Sequence, residues 1–293
     1  MNKLDTLLGK SSVLIADGAM GTMLQAAGLA PGESPVVWNI EHPERIGAVH
    51  RAYLDAGAQI LLTNTFVGNR FRLAQHGWAT RVAEANRRGA EILRAEIARA
   101  GADALAAGDI GPSGELLAPL GTLAFDDAVE GFAEQARALL DGGVEAIWIE
   151  TMSDLEEVRA VIEGVRRVAP DVPILASLTF DTRGRTMMGV KPETAARALL
   201  DWQVAALGGN CGNGPDEILS VIEKMRAVAP AAILIAKSNA GKPEVVDGAT
   251  VYRATPEVMA ASARALRDAG ARIIGGCCGT TPAHIRAMAQ ALR

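Results

Sequence analysis

The sequence has no apolar run near the ~20 residues needed to cross a bilayer. Its first residues, Met1-Asn2-Lys3-Leu4-Asp5, lack the basic and apolar regions of a secretory leader. Cysteine occurs three times, an odd number, so no complete disulfide framework can form. No long Lys/Arg cluster exists, and the formal net charge is −5, which argues against a surface that neutralises nucleic-acid phosphates. Aromatic residues make up only 4% of the chain. Together these absences lead us to expect a cytoplasmic protein that binds neither membrane nor nucleic acid and keeps its thiols reduced.

What is present is alternation. Short apolar or β-branched runs bounded by turn residues are followed by stretches with helical spacing. Eight strand-like runs can be read, at 13–16, 59–62, 104–107, 146–149, 174–177, 204–207, 233–236 and 272–274. Helices are expected to begin near Pro43, Arg81, Asp126, Ser153, Pro192, Pro215, Pro256 and Pro282. Proline suits a first helical turn, where its missing N–H would have no partner. Ser153 with Glu156 three residues on reads as a capping box. Eight βα units without a composition break predict an α/β fold, a single (β/α)8 TIM barrel over residues 1–293. A doubly wound open sheet is the runner-up, but the Gly-x-Gly-x-x-Gly turn expected after its first strand is missing. Residues 18–42 and 109–125 form long loops on one barrel face, where function or a lid is expected.

In such a barrel the working residues sit where the strands end. Those ends read Asp17-Gly18-Ala19-Met20, Thr63-Asn64-Thr65-Phe66, Gly108-Asp109-Ile110-Gly111 and Glu150-Thr151-Met152, then Thr179-Phe180-Asp181, Asn210-Cys211, Lys237-Ser238-Asn239 and Cys277-Cys278. All three cysteines fall in Gly-rich turns between an apolar run and a helical stretch. Three thiolates at one point suit Zn²⁺ with a fourth position open at the strand ends, although buried cysteines can also serve as small hydrophobes. Asp17 and Glu150 each abut an apolar run and so face the mouth, as metal ligands, general bases or grips for an ammonium group. Asp109 and Asp181 read equally well as caps. The four histidines are scattered and form no ligand pattern, which counts against a hydrolase using metal-bound water. An all-thiolate set is better suited to holding a substrate thiol ionised. A structural or sensory zinc site remains a competing reading, although it would normally close with a fourth protein ligand.

Through Asp17-Gly18-Ala19-Met20-Gly21-Thr22, Thr63-Asn64-Thr65-Phe66, Gly108-Asp109-Ile110-Gly111-Pro112, Ile149-Glu150-Thr151, Gly209-Asn210-Cys211 and Gly275-Gly276-Cys277-Cys278-Gly279-Thr280, the chain resembles the homocysteine S-methyltransferases. These include betaine enzymes, S-methylmethionine enzymes and the homocysteine domain of cobalamin-dependent methionine synthase. The resemblance runs nearly end to end. It implies a (β/α)8 barrel in which Cys211, Cys277 and Cys278 bind Zn²⁺ and homocysteine sulfur takes the open position. It further implies that Asp17 and Glu150 hold the homocysteine ammonium, that backbone N–H groups at Gly18 and Ala19 hold its carboxylate, and that Asn210 belongs to the substrate site.

For the methyl donor the stretch Glu33-Ser34-Pro35-Val36-Val37-Trp38-Asn39 is similar to bacterial betaine-type members. The expectation is therefore a small onium donor, betaine first, with Trp38 against its cationic face, although Trp38 reads equally well as a hydrophobe that anchors the loop. Dimethylsulfoniopropionate and S-methylmethionine are alternatives. Thr151 stands where animal betaine enzymes carry a cage tyrosine, which weakens that reading. Because the sequence stops at Arg293 soon after the eighth unit, a lone barrel taking methyl from a small molecule or a separate corrinoid protein is expected. Self-association is left open.

Overall fold

The computed structural model describes residues 2–246 and 249–293. The chain begins with α1 (Lys3–Lys10), capped by Asn2, whose side chain accepts from the Asp5 N–H. Strand β1 (Leu14–Ile15) follows, then two short helices in the first long loop, α2 (Met20–Ala26) and α3 (Trp38–Glu41), and the first outer helix, α4 (Pro43–Asp55). Next come β2 (Ile60–Leu62), the short α5 (Arg70–Ala74) and α6 (Val82–Ala100), then β3 (Leu105–Ile110) with α7 (Phe125–Asp141). The pairs β4 (Ala146–Met152) and α8 (Leu155–Val168), β5 (Ile174–Leu178) and α9 (Pro192–Asp201), and β6 (Ala206–Cys211) and α10 (Pro215–Val228) continue the alternation. After β7 (Leu234–Ser238) the chain forms an antiparallel pair, β8 (Glu244–Val246) and β9 (Ala249–Val251), before α11 (Pro256–Asp268), β10 (Ala271–Gly276) and α12 (Pro282–Ala291).

Eight strands form one parallel sheet in the order β1-β10-β7-β6-β5-β4-β3-β2. A parallel bridge between Ala16 and Ile60, with Gln59 N–H donating to Ile15 O at 2.7 Å, closes it. The expected (β/α)8 barrel is therefore the fold. The expected strands all form, and five expected helix starts at proline fall on Pro43, Pro192, Pro215, Pro256 and Pro282. One cap differs: Asp154, not Ser153, accepts from the Glu156 N–H and starts α8. Asp154 can reach an N–H two residues on, so the helix begins one position later.

Side chains alternate across each strand, because successive Cβ atoms point to opposite faces. Ile147, Ile149, Ile174, Ala176, Leu207 and Leu234 face the outer helices. There they meet residues such as Val158, Val161, Ile162 and Val165 of α8, each burial worth about 1.5–3 kcal/mol. The other parity fills the barrel with Leu14, Ile60, Leu105, Ala146, Trp148, Leu175, Ala206, Ile235 and Ile273. Leu4 and Leu7 of α1 join this inner cluster and stopper the end where the strands begin. Arg272, at the start of β10, holds the stopper by donating to Leu8 O and Ser11 O, each at 3.1 Å.

Candidate active site

The inward parity turns polar as the strands run toward their C-terminal ends. On β3 it reads Leu105, Ala107, Asp109; on β4 Ala146, Trp148, Glu150; on β6 Ala206, Gly208, Asn210; on β7 Ile235, Lys237. A cavity of about 390 Å³ opens there, lined by Asp17, Asp109, Glu150 and Lys237 on one part of its wall and by Cys211, Cys277 and Cys278 on another. The structure thus brings the predicted Asp17, Glu150 and three cysteines together. It adds two charged groups that motif reading left unassigned, Lys237 and Asp109.

Lys237 is 3% exposed. Its Nζ donates to Asp17 Oδ1 at 3.2 Å and to Glu150 Oε2 at 3.4 Å, and lies 5.1 Å from the centre of the Trp148 ring. Burial would push this ammonium down, but Glu150 and Asp17 outweigh it and hold it charged. Burial raises the Asp17 carboxyl against the opposing pull of Lys237. Burial likewise carries Glu150 up to about 7 despite Lys237. Asp109 stands well above the usual carboxylate range, from burial first and the nearby Glu150 second. Asp109 caps nothing: its Oδ1 has no hydrogen-bond partner among the described residues. Asp181 is exposed and accepts from the neighbouring Thr182 hydroxyl.

Cys211 is the last residue of β6, and Cys277 and Cys278 follow directly on β10. Cys211 Sγ lies 3.2 Å from Cys277 Sγ and 3.8 Å from Cys278 Sγ, and all three sulfurs fall within 4.8 Å of one another. Hydrogen bonds from Cys211 and Cys277 bring Cys278 down to about 3, with help from the Tyr252 hydroxyl. The bond from Cys211 lowers Cys277, but its bond to Cys278 and burial win and push it up to about 11. Hydrogen bonds to the other two sulfurs drive Cys211 upward as well. Three sulfurs this close together, one ligand atom from each residue, can hold a metal ion.

Two non-glycine residues at the site adopt left-handed backbone, Thr151 at φ 63° and Cys211 at φ 61°. Such conformations cost on the order of 1–3 kcal/mol each and persist only where the surroundings enforce them. At Thr151, Asn210 supplies that enforcement. Its Oδ1 accepts from Thr151 N–H at 2.8 Å and from Ser177 Oγ at 2.9 Å, and its Nδ2 donates to Thr151 Oγ1 at 2.7 Å. Asn210 is fully buried and does not itself line the cavity; its Nδ2 also reaches Cys277 Sγ at 3.8 Å, so it ties the wall to the cysteine turn. Thr151 does line the cavity.

Gly18 and Ala19 also line it. A Cβ at Gly18 would lie 2.7 Å from Thr280 Oγ1, which is why glycine is needed there. That hydroxyl donates to Cys277 O at 2.6 Å and accepts from Ala19 N–H at 3.1 Å, tying the first loop to the cysteine turn. The Ala19 amide is therefore engaged already. Trp38 takes the anchoring place of its two readings. It is 3% exposed, packed edge-on to His42 at 4.9 Å, with the Arg45 guanidinium 4.8 Å from its ring centre. Its cation is thus internal, and the side chain does not line the cavity. The helix α3 turns Trp38 into the core, where it anchors this stretch.

The family model for homocysteine S-methyltransferase matches residues 14–292. Among curated proteins, methionine synthase of Mycobacterium tuberculosis is 32% identical over 96% of this chain, and methionine synthase of Mycobacterium leprae 31% over 96%. The chain spans 24% of the length of each of these relatives. Among solved structures, the metallated form of the homocysteine methyltransferase MmuM from Escherichia coli superposes with a TM-score of 0.83 at 26% identity, covering 98% of this chain and 99% of that one. No helix among the described residues is long and apolar enough to cross a membrane.

Proposed function

The chain belongs to the homocysteine S-methyltransferase family, and from that premise we propose that it transfers a methyl group to the sulfur of homocysteine, making methionine. The observation that carries this reading is one cavity walled by three convergent thiols and by buried carboxylates. Homocysteine presents a thiol and an ammonium a few bonds apart, and each finds its counterpart there. In the reaction the donor–methyl bond breaks, a carbon–sulfur bond forms, and the thiol proton leaves to solvent.

Cys211, Cys277 and Cys278 would hold Zn²⁺. Bonds of about 2.3 Å in a tetrahedron place ligand sulfurs about 3.8 Å apart, close to the 3.2 Å and 3.8 Å found here. Bound there, the ion would keep a fourth, substrate thiol ionised at neutral pH. The carboxylates and Lys237 bind and orient the amino-acid end, and the backbone near Gly18 faces its carboxylate. Leu62, Phe66 and Met20 supply apolar wall that limits water around the sulfur. The gain is proximity and alignment, because the chain holds the sulfur and the amino-acid end in fixed places.

The donor reading shifts with Trp38. Among the described residues Phe66 is the one aromatic side chain lining the cavity, and Tyr252 turns its hydroxyl to Cys278, which is a sparse set for an onium cage. Exposed apolar side chains instead stand on three of the segments that follow strands' C-terminal ends: Leu116 and Leu120 after β3, Met187 after β5, and Val245 after β7. Such a rim suits a macromolecular methyl carrier, and a methylated corrinoid protein fits better than betaine. Two measurements test the whole reading. Zinc-edge absorption should gain a sulfur neighbour when homocysteine is added. Zinc-loaded protein with homocysteine should form methionine from a methylated corrinoid protein more readily than from betaine, dimethylsulfoniopropionate or S-methylmethionine. No added sulfur, and no methionine from any donor, would overturn it; turnover with betaine alone would reverse the donor assignment.

A further inference from the structure

The acceptor capacity of the carboxylates is unequally spent. Asp17 gives Oδ2 to the Leu62 N–H at 2.8 Å and Oδ1 to Lys237 at 3.2 Å, so both its oxygens already serve the protein. Glu150 gives Oε2 to Lys237. Asp109 is 5% exposed, lines the same cavity, and has Oδ1 without a partner among the described residues. It is also rigidly mounted. Its N–H donates to Thr63 Oγ1 at 2.9 Å, and its carbonyl accepts from Thr65 Oγ1 at 2.7 Å. The strand position and both backbone groups thus fix where its side chain leaves β3.

We propose that Asp109 is the carboxylate that receives the α-ammonium of the amino-acid substrate, beside the second oxygen of Glu150, while Asp17 chiefly anchors Lys237. The proposal rests on the homocysteine reading above. An unpaired buried carboxyl is costly unless it is neutral or meets a cation, and the high proton affinity conferred by burial beside Glu150 agrees with a group that waits for one. Lys237 already satisfies part of the Asp17–Glu150 pair, so a second ammonium entering the cavity finds its free acceptor at Asp109. Selection for an amino-acid thiol over a plain thiol then depends on a residue outside the pair expected from sequence.

The test is calorimetric binding of homocysteine and of 4-mercaptobutanoate, its analogue lacking the amino group, to zinc-loaded wild type and Asp109→Asn. Wild type should prefer homocysteine. The variant should bind homocysteine about 10-fold to 100-fold more weakly, as expected for loss of a charged hydrogen-bond partner, and bind the analogue as wild type does. Its melting temperature should hold or rise, since an isosteric amide replaces a buried unpaired acid, which separates misfolding from lost recognition. Equal losses for both ligands, or no loss for homocysteine, overturn the proposal. Wild type that binds homocysteine no better than the analogue overturns it too, and wild type that binds neither ligand also removes the homocysteine reading beneath it.

Discussion

The two ends of the barrel are built on opposite principles. Where the strands begin, the interior is apolar and stoppered by Leu4 and Leu7 of α1. Where they end, the same inward parity carries Asp109, Glu150 and Lys237, and the cysteine turns stand above them. One end lowers the free energy of the fold by excluding water. The other spends some of that stability on buried charge and on left-handed backbone at Thr151 and Cys211. Folding and chemistry are thereby separable by position along a strand.

Cys278→Ala should break the comparison most sharply, at the mouth alone. Zinc content measured by mass spectrometry should fall from one per chain to none and methyl transfer to background, while circular dichroism keeps the barrel signal. Retention of metal and turnover would remove the three-thiol site. At the other end, Leu7→Ala should cost about 2–5 kcal/mol of unfolding free energy, as for other buried leucines. Urea titration would read that cost, and the KM for homocysteine should not move. A change in KM without one in stability would show that the ends are coupled.

A smaller effect concerns pH. Burial raises Glu150 to about 7 in the folded chain from an ordinary 4.5. A raised carboxyl favours the folded state when protonated, so its contribution is complete below the unfolded value and is lost as pH rises through the folded one. The melting temperature of metal-free protein should therefore fall between about pH 5 and pH 8, and Glu150→Gln should flatten that decline. A slope that is the same in the variant would assign it to other groups. The smallest expected effect is that of Trp38→Phe, which keeps an aromatic face for Arg45. The donor KM should stay at the wild-type value; a marked rise would return Trp38 to the donor site.

Much of this was legible in the sequence because the barrel repeats one pattern and because cysteine is rare. Runs such as 174–177 and 233–236 mark strands by β-branching and by the turns around them, and Cys211, Cys277 and Cys278 recur at one kind of junction. The stopper helix is harder to see. Its apolar spacing is two leucines three apart, too short a signal beside the strand that follows. The pair β8 and β9 lies outside the repeat and was not anticipated. Lys237 and Asp109 were hidden for another reason. Reading strand ends as motifs treats every residue there alike, whereas stepping by two from Ile235 or Ala107 would have turned both into the barrel. Sequence left two readings of Trp38 open because its place depends on Arg45, seven positions away and one helix later, a contact no local pattern encodes.

The indole that floors the mouth has an optical consequence. Trp148 is fully buried, and the charge of Lys237 sits 5.1 Å from its ring. Indole emission follows the local electric field, so an ammonium that arrives above it, or a lysine that shifts to make room, should change its colour. The chain has four tryptophans, and Trp38 is shut into the core. The difference between wild-type and Trp148→Phe spectra would isolate the one over the barrel floor. The protein would then report occupancy of its own cavity by light, without label or turnover.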